Sequence, residues 1–260
     1  MTRCVYLLTV LSLAFGSTAA FGQEAESPPV VIVHGAWGGG WDWKPVADEF
    51  QARGHDVYRA MLTGLGERHH LASADIGLGL HVTDVVNLIV WEQLKDVVLV
   101  GHSYGGMVIT GVAEQIPDRI GQLVYVDAFL PFDGECARSA QNQDRSACDG
   151  FDDEEGGGFI RFSEGFLVPG WVKPNATPPH DVPHPAQTLL DRLELAGSPG
   201  AGRPAGYIIT RETPDGPDGF DWAAKRAREL GWRVAEMRAD HNPQRSHVAE
   251  LVDLVLSFLR

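Results

Sequence analysis

Residues 97–106 read Val97-Val98-Leu99-Val100-Gly101-His102-Ser103-Tyr104-Gly105-Gly106. The first four residues are continuously apolar, which is typical of a strand that is buried on both faces of a sheet. A Gly-x-Ser-x-Gly pattern follows directly, and a helix-length apolar pattern extends from there to residue 115. A strand, a sharp glycine-rich turn and a helix in this order expose the serine hydroxyl at the end of the sheet. This context predicts that Ser103 is a nucleophile.

The rest of the chain alternates short β-rich runs with amphipathic runs of helical length. The spacing predicts strands over residues 30–33, 56–59, 97–100, 123–126, 207–210 and 233–237. It predicts helices over residues 44–53, 82–91, 104–115, 221–230 and 246–259. Such alternation is typical of an α/β fold, in which helices cover both faces of a mostly parallel sheet.

The alternation fails over residues 131–203, which hold half of the prolines and no clear strand. A segment of this length is too long for a plain connection, so we expect an inserted cap or lid. Two cysteines, Cys136 and Cys148, lie within it, and we expect a disulfide between them if the protein is exported. An acidic patch at residues 149–155 lacks the register of a calcium loop and is interpreted as solvated.

The N-terminus resembles a secretory leader. Arg3 precedes an apolar run over residues 5–15, and small residues follow at 16–20. The run is too short to span a membrane, so we expect a soluble secreted or periplasmic protein, cleaved near residues 20–22, without a stable membrane anchor. The predicted organisation is a leader at 1–22, a core at 23–130 and 204–260, and a cap at 131–203.

The charge of the chain argues against nucleic acid as a partner. There are 35 Asp and Glu against 21 Lys and Arg, so the formal net charge of -14 disfavours binding to a phosphate backbone. The glycine-rich residues 34–41 contain neither of the nucleotide-binding glycine patterns. Glu67, His69, His70 and His81 have no recognised metal-ligand spacing, so no metal or cofactor is expected.

A serine nucleophile needs a base, and His241 is the predicted one. It follows the last predicted strand by four residues and precedes the C-terminal helix. The chain order Ser, acid, His of this architecture disfavours every histidine that precedes Ser103. His247 is the alternative, but its position in the first turn of the last helix favours a packing or capping role.

A carboxylate must orient the histidine, and two strand ends compete for that role. Asp127 ends the strand at 123–126 between the apolar residues Val126 and Ala128, where an acid is costly unless it has a partner. Glu212 and Asp215 follow the strand at 207–210. Asp127 can also be interpreted as a cap of the next turn, so the choice stays open at this point.

An oxyanion hole needs two backbone N–H groups directed at the substrate oxygen. Tyr104, which follows the nucleophile, is expected to supply one of them. Ala36, in the loop after the first strand, is expected to supply the other.

Together these motifs resemble the α/β-hydrolase superfamily, in particular the branch of plant methylesterases, hydroxynitrile lyases and bacterial esterase-like relatives. The resemblance covers nearly the whole chain after the leader. It rests on the motifs at residues 31–37, 63–68, 101–107, 127–131 and 240–241. It implies a six-stranded sheet and places the cap between the fourth and fifth strands, where residues 131–203 lie.

The resemblance also exposes a departure at the acid. In the plant members the catalytic aspartate follows the penultimate strand, a position that aligns with Thr213 here, and threonine cannot replace a carboxylate. Haloalkane dehalogenases, another branch, carry their acid at the strand end that matches Asp127. We therefore expect Asp127 to be the acid, with Glu212 and then Asp215 as the alternatives.

Two positions favour an esterase over a lyase. Lyases of this branch carry threonine at the place of Gly35 and lysine at the place of Asn242. The resemblance therefore implies a serine hydrolase acting on small-molecule carboxylic esters with hydrophobic or aromatic groups. The alternatives are a hydroxynitrile lyase, a cofactor-free haloperoxidase or carbon–carbon hydrolase, and a non-catalytic ligand-binding receptor.

We expect a substrate pocket lined by Trp37, Phe129, Phe166 and Trp171.

Overall fold

The computed structural model of the protein describes residues 27–151, 160–173, 175–213, 216 and 218–259. The predicted leader, most of the acidic patch and Asp215 lie outside these residues. Within the described ranges, no helix is long and apolar enough to cross a membrane.

The described residues form nine strands and eight α-helices. The strands are β1 (Val30–Val33), β2 (Val57–Arg59), β3 (Val97–His102), β4 (Ile120–Val126), β5 (Ile160–Ser163), β6 (Phe166–Pro169), β7 (His184–Pro185), β8 (Ala205–Thr210) and β9 (Arg233–Met237). The helices are α1 (Lys44–Ala52), α2 (Leu78–Trp91), α3 (Gly105–Gln115), α4 (Ala137–Asn142), α5 (Gln187–Leu190), α6 (Asp221–Glu229), α7 (Pro243–Ser246) and α8 (Val248–Ser257).

Six of the strands form one sheet in the order β2-β1-β3-β4-β8-β9, and every neighbouring pair is parallel. The predicted α/β class with a six-stranded parallel sheet is confirmed. Because the strands are parallel, their carboxyl ends meet at one edge, where ligands bind in open sheets of this kind. Ser103, Asp127 and the loop before His241 all follow strand ends at that edge.

Alternation along the strands divides the core into two layers. In β1, Val31 and Val33 face one hydrophobic cluster, which also holds residues of α2, α3 and α6. Val30 and Ile32 face the other cluster, together with residues of α1 and α8. Successive side chains of a strand point to opposite faces, so both faces of the sheet are covered by helices.

The segment between β4 and β8 contains regular structure that the sequence did not reveal. β5, β6 and β7 form a small antiparallel sheet beside α4 and α5. The strands are two to four residues long, and so short a run carries little periodicity. Glu164 and Gly165 connect β5 to β6 with positive φ angles of 52° and 83°, as two-residue hairpin turns require. The expectation of a segment without strands is therefore wrong.

The C-terminal helix is also interrupted. The helix predicted over residues 246–259 is divided into α7 and α8 at His247, whose φ of −133° and ψ of 45° are not helical. His247 therefore lies at the start of α8, and its ring contacts the Ser246 hydroxyl at 2.8 Å.

Candidate active site

The turn between β3 and α3 holds Ser103 in a strained backbone conformation. Its φ of 52° is in the left-handed region, which residues other than glycine rarely adopt. The flanking glycines make the turn possible because a Cβ at Gly105 would lie 2.6 Å from the Val33 carbonyl oxygen. A Cβ at Gly101 would likewise lie 2.8 Å from the Gly105 carbonyl oxygen. The turn therefore has the backbone geometry that was predicted for a nucleophile elbow.

His241 reaches the serine from the loop after β9. Its Nε2 lies 3.0 Å from Ser103 Oγ, and its Nδ1 lies 2.6 Å from Asp127 Oδ2. A carboxylate only accepts hydrogen bonds, so Nδ1–H donates to Asp127 and Nε2 is left free to accept the serine proton. The structure brings together the three side chains that the sequence suggested as nucleophile, base and acid.

Asp127 is fully buried at the end of β4 and has dedicated partners. Its φ is 44°, and its amide donates to the Ile208 carbonyl at 2.7 Å. Its Oδ1 accepts the Thr210 amide of β8 at 3.2 Å. Glu212, the alternative acid, is exposed to solvent, and Asp215 lies outside the described residues.

Asp218 is a second carboxyl at the acid, and the sequence analysis missed it. Its carboxyl lies near enough to Asp127 to interact with it electrostatically, and its Oδ1 accepts the Phe220 amide at 2.7 Å. Burial and then the negative charge of Asp127 raise the pKa of Asp218 to about 6. Its position was the available signal, because Asp218 lies in the loop after β8, which also holds the alternative acids Glu212 and Asp215.

Two aromatic rings from different parts of the chain pack against the His241 ring. The Phe220 ring is stacked on it, with centroids 5.3 Å apart and planes 5° apart. The His102 ring lies 4.8 Å away, and His102 Nε2–H donates to the His241 carbonyl at 2.7 Å. Burial and then the neighbouring His241 hold the pKa of His102 well below its usual range. A neutral His102 adds no positive charge beside the base.

The two proposed oxyanion donors both border the cavity at Ser103. Within the described part of the chain, no hydrogen bond is made by the amides of Ala36 or Tyr104. These amides are therefore available to a substrate oxygen.

A histidine of the segment between β4 and β8 holds residues 34–39, the loop after β1 that contains Ala36 and that we call the oxyanion loop. The Trp37 amide donates to His184 Nδ1 at 3.3 Å, and the Trp37 carbonyl accepts the Val182 amide at 2.9 Å. Thr188 donates its hydroxyl to the Pro185 carbonyl, so it accepts from His184 Nε2–H, which leaves Nδ1 as an acceptor. Burial lowers the pKa of His184 well below its usual range, which keeps this ring neutral. Nothing in the sequence pattern had marked His184.

The expected pocket residues divide among different cavities. A cavity of about 370 Å³ at Ser103 is bordered by Trp37 and Phe129. Trp171 borders a second cavity at Ser103, of about 440 Å³, and its ring lies edge-on to Trp37 at 5.5 Å. Phe166 borders neither, because it lies on the opposite face of β6 from Leu167 and lines a separate cavity. Leu167 is the residue of β6 that lines the cavity at Ser103.

Gly35 lies against Ser103 and leaves little room for a side chain. A Cβ there would lie 3.0 Å from both Ser103 Cβ and His102 Nδ1. The position at which the lyases of this branch carry threonine is therefore crowded in this protein.

His81 and Glu67, whose residue types could bind a metal, have hydrogen-bond partners within the protein. His81 Nε2–H donates to the Thr63 carbonyl at 2.9 Å, and Nδ1 accepts the Tyr104 hydroxyl at 3.0 Å. Glu67 accepts the Gly40 amide at 3.1 Å. Among the described residues, no group of three or more His, Cys, Asp or Glu is arranged to hold a metal ion.

Comparison with known proteins gives a family and several relatives. The sequence model of the alpha/beta hydrolase family matches residues 30–254. A carbendazim hydrolyzing esterase of Nocardioides sp. (strain SG-4G) is 50% identical over 105 residues, which cover 40% of this chain and 43% of the relative. Methylesterase 2 of Arabidopsis thaliana is 32% identical over 111 residues, 42% of each chain. The chain thus matches less than half the length of these relatives.

One solved structure is similar over most of its length. An extracellular alpha/beta-hydrolase from a Paenibacillus species is described as sharing structural and functional homology with tobacco salicylic acid binding protein 2. It superposes with a TM-score of 0.68 at 26% identity, over 89% of this chain and 98% of the other. These findings match the family branch that the sequence motifs indicated.

Proposed function

Because the chain belongs to the alpha/beta hydrolase family, we propose that it is a serine hydrolase that cleaves carboxylic esters. The single observation that carries this proposal is the pair of contacts from Ser103 Oγ to His241 Nε2 and from His241 Nδ1 to Asp127. That arrangement is what nucleophilic acyl transfer requires. The relatives named as esterases support the same reaction class.

In the first half of the reaction, Ser103 Oγ attacks the acyl carbon of the ester. His241 Nε2 takes the serine proton, and Asp127 stabilises the resulting imidazolium. The carbonyl oxygen gains negative charge and is met by the amides of Ala36 and Tyr104. The carbon–oxygen bond to the alcohol then breaks, and the leaving oxygen takes the proton from His241. The products of this half are a free alcohol and an acyl group on Ser103.

In the second half, water replaces the alcohol. His241 Nε2 removes a proton from the water, whose oxygen attacks the acyl carbon. The same two amides meet the oxyanion, and the proton passes to Ser103 Oγ as the acyl–serine bond breaks. A carboxylic acid leaves and the free serine is restored.

We propose small esters with a hydrophobic or aromatic group as the substrates. Phe129 and Leu167 give the smaller cavity at Ser103 an apolar wall, and such walls bind apolar groups through the hydrophobic effect. Gly35 and Asn242 stand where the lyases of this branch carry threonine and lysine. Their presence favours hydrolysis over cyanohydrin cleavage.

We further propose that the protein is exported, on the basis of the leader pattern at residues 1–22. The disulfide between Cys136 and Cys148 is consistent with an oxidising compartment. The Paenibacillus hydrolase, which is described as extracellular, points the same way.

A series of p-nitrophenyl esters of increasing acyl length tests the proposed activity. Wild type should release p-nitrophenol from one or more of them. Ser103→Ala should lower kcat by at least about 10³-fold, because the acyl-enzyme cannot form.

Ser73→Ala removes an exposed hydroxyl outside the site and should match wild type. If no ester turns over, or if Ser103→Ala keeps the wild-type rate, the proposed function is lost.

A further inference from the structure

Two cavities meet at Ser103, and they border different parts of the catalytic apparatus. Both are lined by Ala36, Trp37 and Ser103. The cavity of about 370 Å³ borders Tyr104. The cavity of about 440 Å³ borders His241. An ester bound at Ser103 can therefore place its two halves in two separate spaces.

The reaction decides which half enters which cavity. The leaving oxygen must take its proton from His241 Nε2, so the alcohol has to lie on the histidine side. The acyl chain then takes the other space, beside Tyr104, while the carbonyl oxygen meets the amides of Ala36 and Tyr104. We call the space beside Tyr104 the acyl cavity and the space beside His241 the leaving-group cavity.

The acyl cavity is mostly apolar. Its wall is formed by Phe129, Phe151, Ile160, Phe162, Leu167 and Leu189. Apart from those of Ser103 and Tyr104, its polar side chains come from α4, where Gln141 and Asn142 are exposed at the rim. Arg138 lies over the Phe151 ring at 4.4 Å. An apolar acyl group loses its contact with water here and gives up few hydrogen bonds.

The leaving-group cavity combines the rings of Trp37, Trp43 and Trp171 with several charged and polar side chains. Arg245 binds Asp42 through two contacts, Nε to Oδ1 at 2.8 Å and Nη2 to Oδ2 at 2.9 Å. The Asp181 carboxylate accepts Trp171 Nε1–H at 3.0 Å and lies 3.8 Å from Arg245 Nη2. Asn242 completes this side of the wall. An apolar alcohol would desolvate these groups without replacing their hydrogen bonds to water.

We propose that the enzyme selects esters whose acyl group is apolar and whose alcohol carries a further hydroxyl or other hydrogen-bonding group. This inference rests on the proposed ester hydrolysis, and it adds the polarity and the direction in which the substrate lies. The apolar acyl group of the substrate is expected to bind beneath the segment between β4 and β8. The polar alcohol belongs between the oxyanion loop and α7.

A pair of isomeric esters tests the direction. Hydroxyethyl phenylacetate carries an apolar acyl group and a hydroxylated alcohol, and phenethyl glycolate has the same atoms with these features exchanged. The glycolate carbonyl, beside an electron-withdrawing hydroxyl, is the more reactive of the two in water. We expect kcat/KM to favour the phenylacetate by about tenfold or more, as the burial of one phenyl ring predicts.

Two variants report on the leaving-group cavity. Asp181→Leu makes its wall more apolar and should lower the preference for the phenylacetate several-fold. Asp181→Asn keeps an acceptor for Trp171 and should keep the preference near its wild-type value.

Ile160→Trp reduces the acyl cavity and should slow the phenylacetate more than hydroxyethyl acetate. The wild-type ratio decides the question even if a variant fails to fold.

The outcomes separate this inference from the proposed function. If both isomers are cleaved equally, or the glycolate is preferred, the inference is overturned and ester hydrolysis stands. If p-nitrophenyl acetate is cleaved but neither isomer is, the inference is again overturned. If no ester at all is cleaved, the proposed function fails and takes the inference with it.

Discussion

Asp127 Oδ2 and His241 Nδ1 are 2.6 Å apart although 114 positions separate these residues in the chain. The contact exists because β4 and β9 end at the same edge of a parallel sheet. Asp127 is fully buried, and its acceptor oxygens face the His241 ring and the Thr210 amide. A buried carboxylate with two dedicated donors fixes the imidazole tautomer that a serine needs.

Asp127→Asn should lower kcat for p-nitrophenyl esters by about 10³- to 10⁴-fold. An amide at this position can donate to Nδ1 and so favours the wrong tautomer of His241. The matched substitution Glu212→Gln changes an exposed side chain and should leave kcat within about twofold of wild type. A large loss in Glu212→Gln with little loss in Asp127→Asn would move the acid to the loop after β8.

Asp218→Asn should change how the stability of the protein depends on pH. The pKa of Asp218 is raised to about 6, first by burial and then by Asp127. The folded state therefore binds a proton more tightly than the unfolded chain does. The stability linked to this proton is fully present below about pH 4 and is lost as pH rises through about 6. An asparagine lacks this titration.

The measurement is Tm against pH for Asp218→Asn and wild type. Relative to wild type, the variant should gain Tm between about pH 4 and pH 7 and hold that gain at higher pH. Asp75→Asn, at an exposed position, serves as the charge-matched control and should show no such step. A difference between Asp218→Asn and wild type that is independent of pH would contradict the raised pKa of Asp218.

Gly106→Ala should destabilise the fold by at least about 2 kcal/mol. A Cβ at this position would lie 2.0 Å from the Phe129 carbonyl oxygen, and backbone cannot yield as a side-chain tip can. Gly79 is the matched control because it is exposed in α2 and a Cβ there meets nothing within 4 Å. Gly79→Ala should add up to about 1 kcal/mol through helix propensity. Denaturant unfolding of both variants checks the pair, and equal effects would refute the packing argument.

Most of the sheet could be predicted from the sequence because its strands carry strong local signals. β1 and β9 have the predicted bounds, and β3 and β4 differ from prediction only at their ends. Buried parallel strands are continuously apolar, and the turns between them are marked by glycine. The motif at Ser103 also indicated a candidate site, because such a motif is informative when a strand precedes it and a helix follows it.

The segment between β4 and β8 could not be predicted in the same way. Its strands are short, and their pairing depends on contacts between residues distant in the chain. Leu167 lines the acyl cavity and Phe166 does not, and that choice follows from the register of β6. His184 and Asp218 were missed for a related reason, since their roles come from the three-dimensional contacts with Trp37 and Asp127.

The bridge between Cys136 and Cys148 should stabilise the wall of the acyl cavity. It closes a loop of twelve positions that holds α4, whose side chains reach that cavity. Replacing both cysteines with serine should lower the free energy of unfolding by about 2–3 kcal/mol, since the open loop gains conformational freedom when unfolded. Serine at 136 keeps an N-cap acceptor for the Ser139 amide in the first turn of α4. Reductant should lower the Tm of wild type toward that of Cys136→Ser/Cys148→Ser and leave the variant unchanged. If reductant has no effect on the wild-type Tm, the bridge contributes nothing to stability.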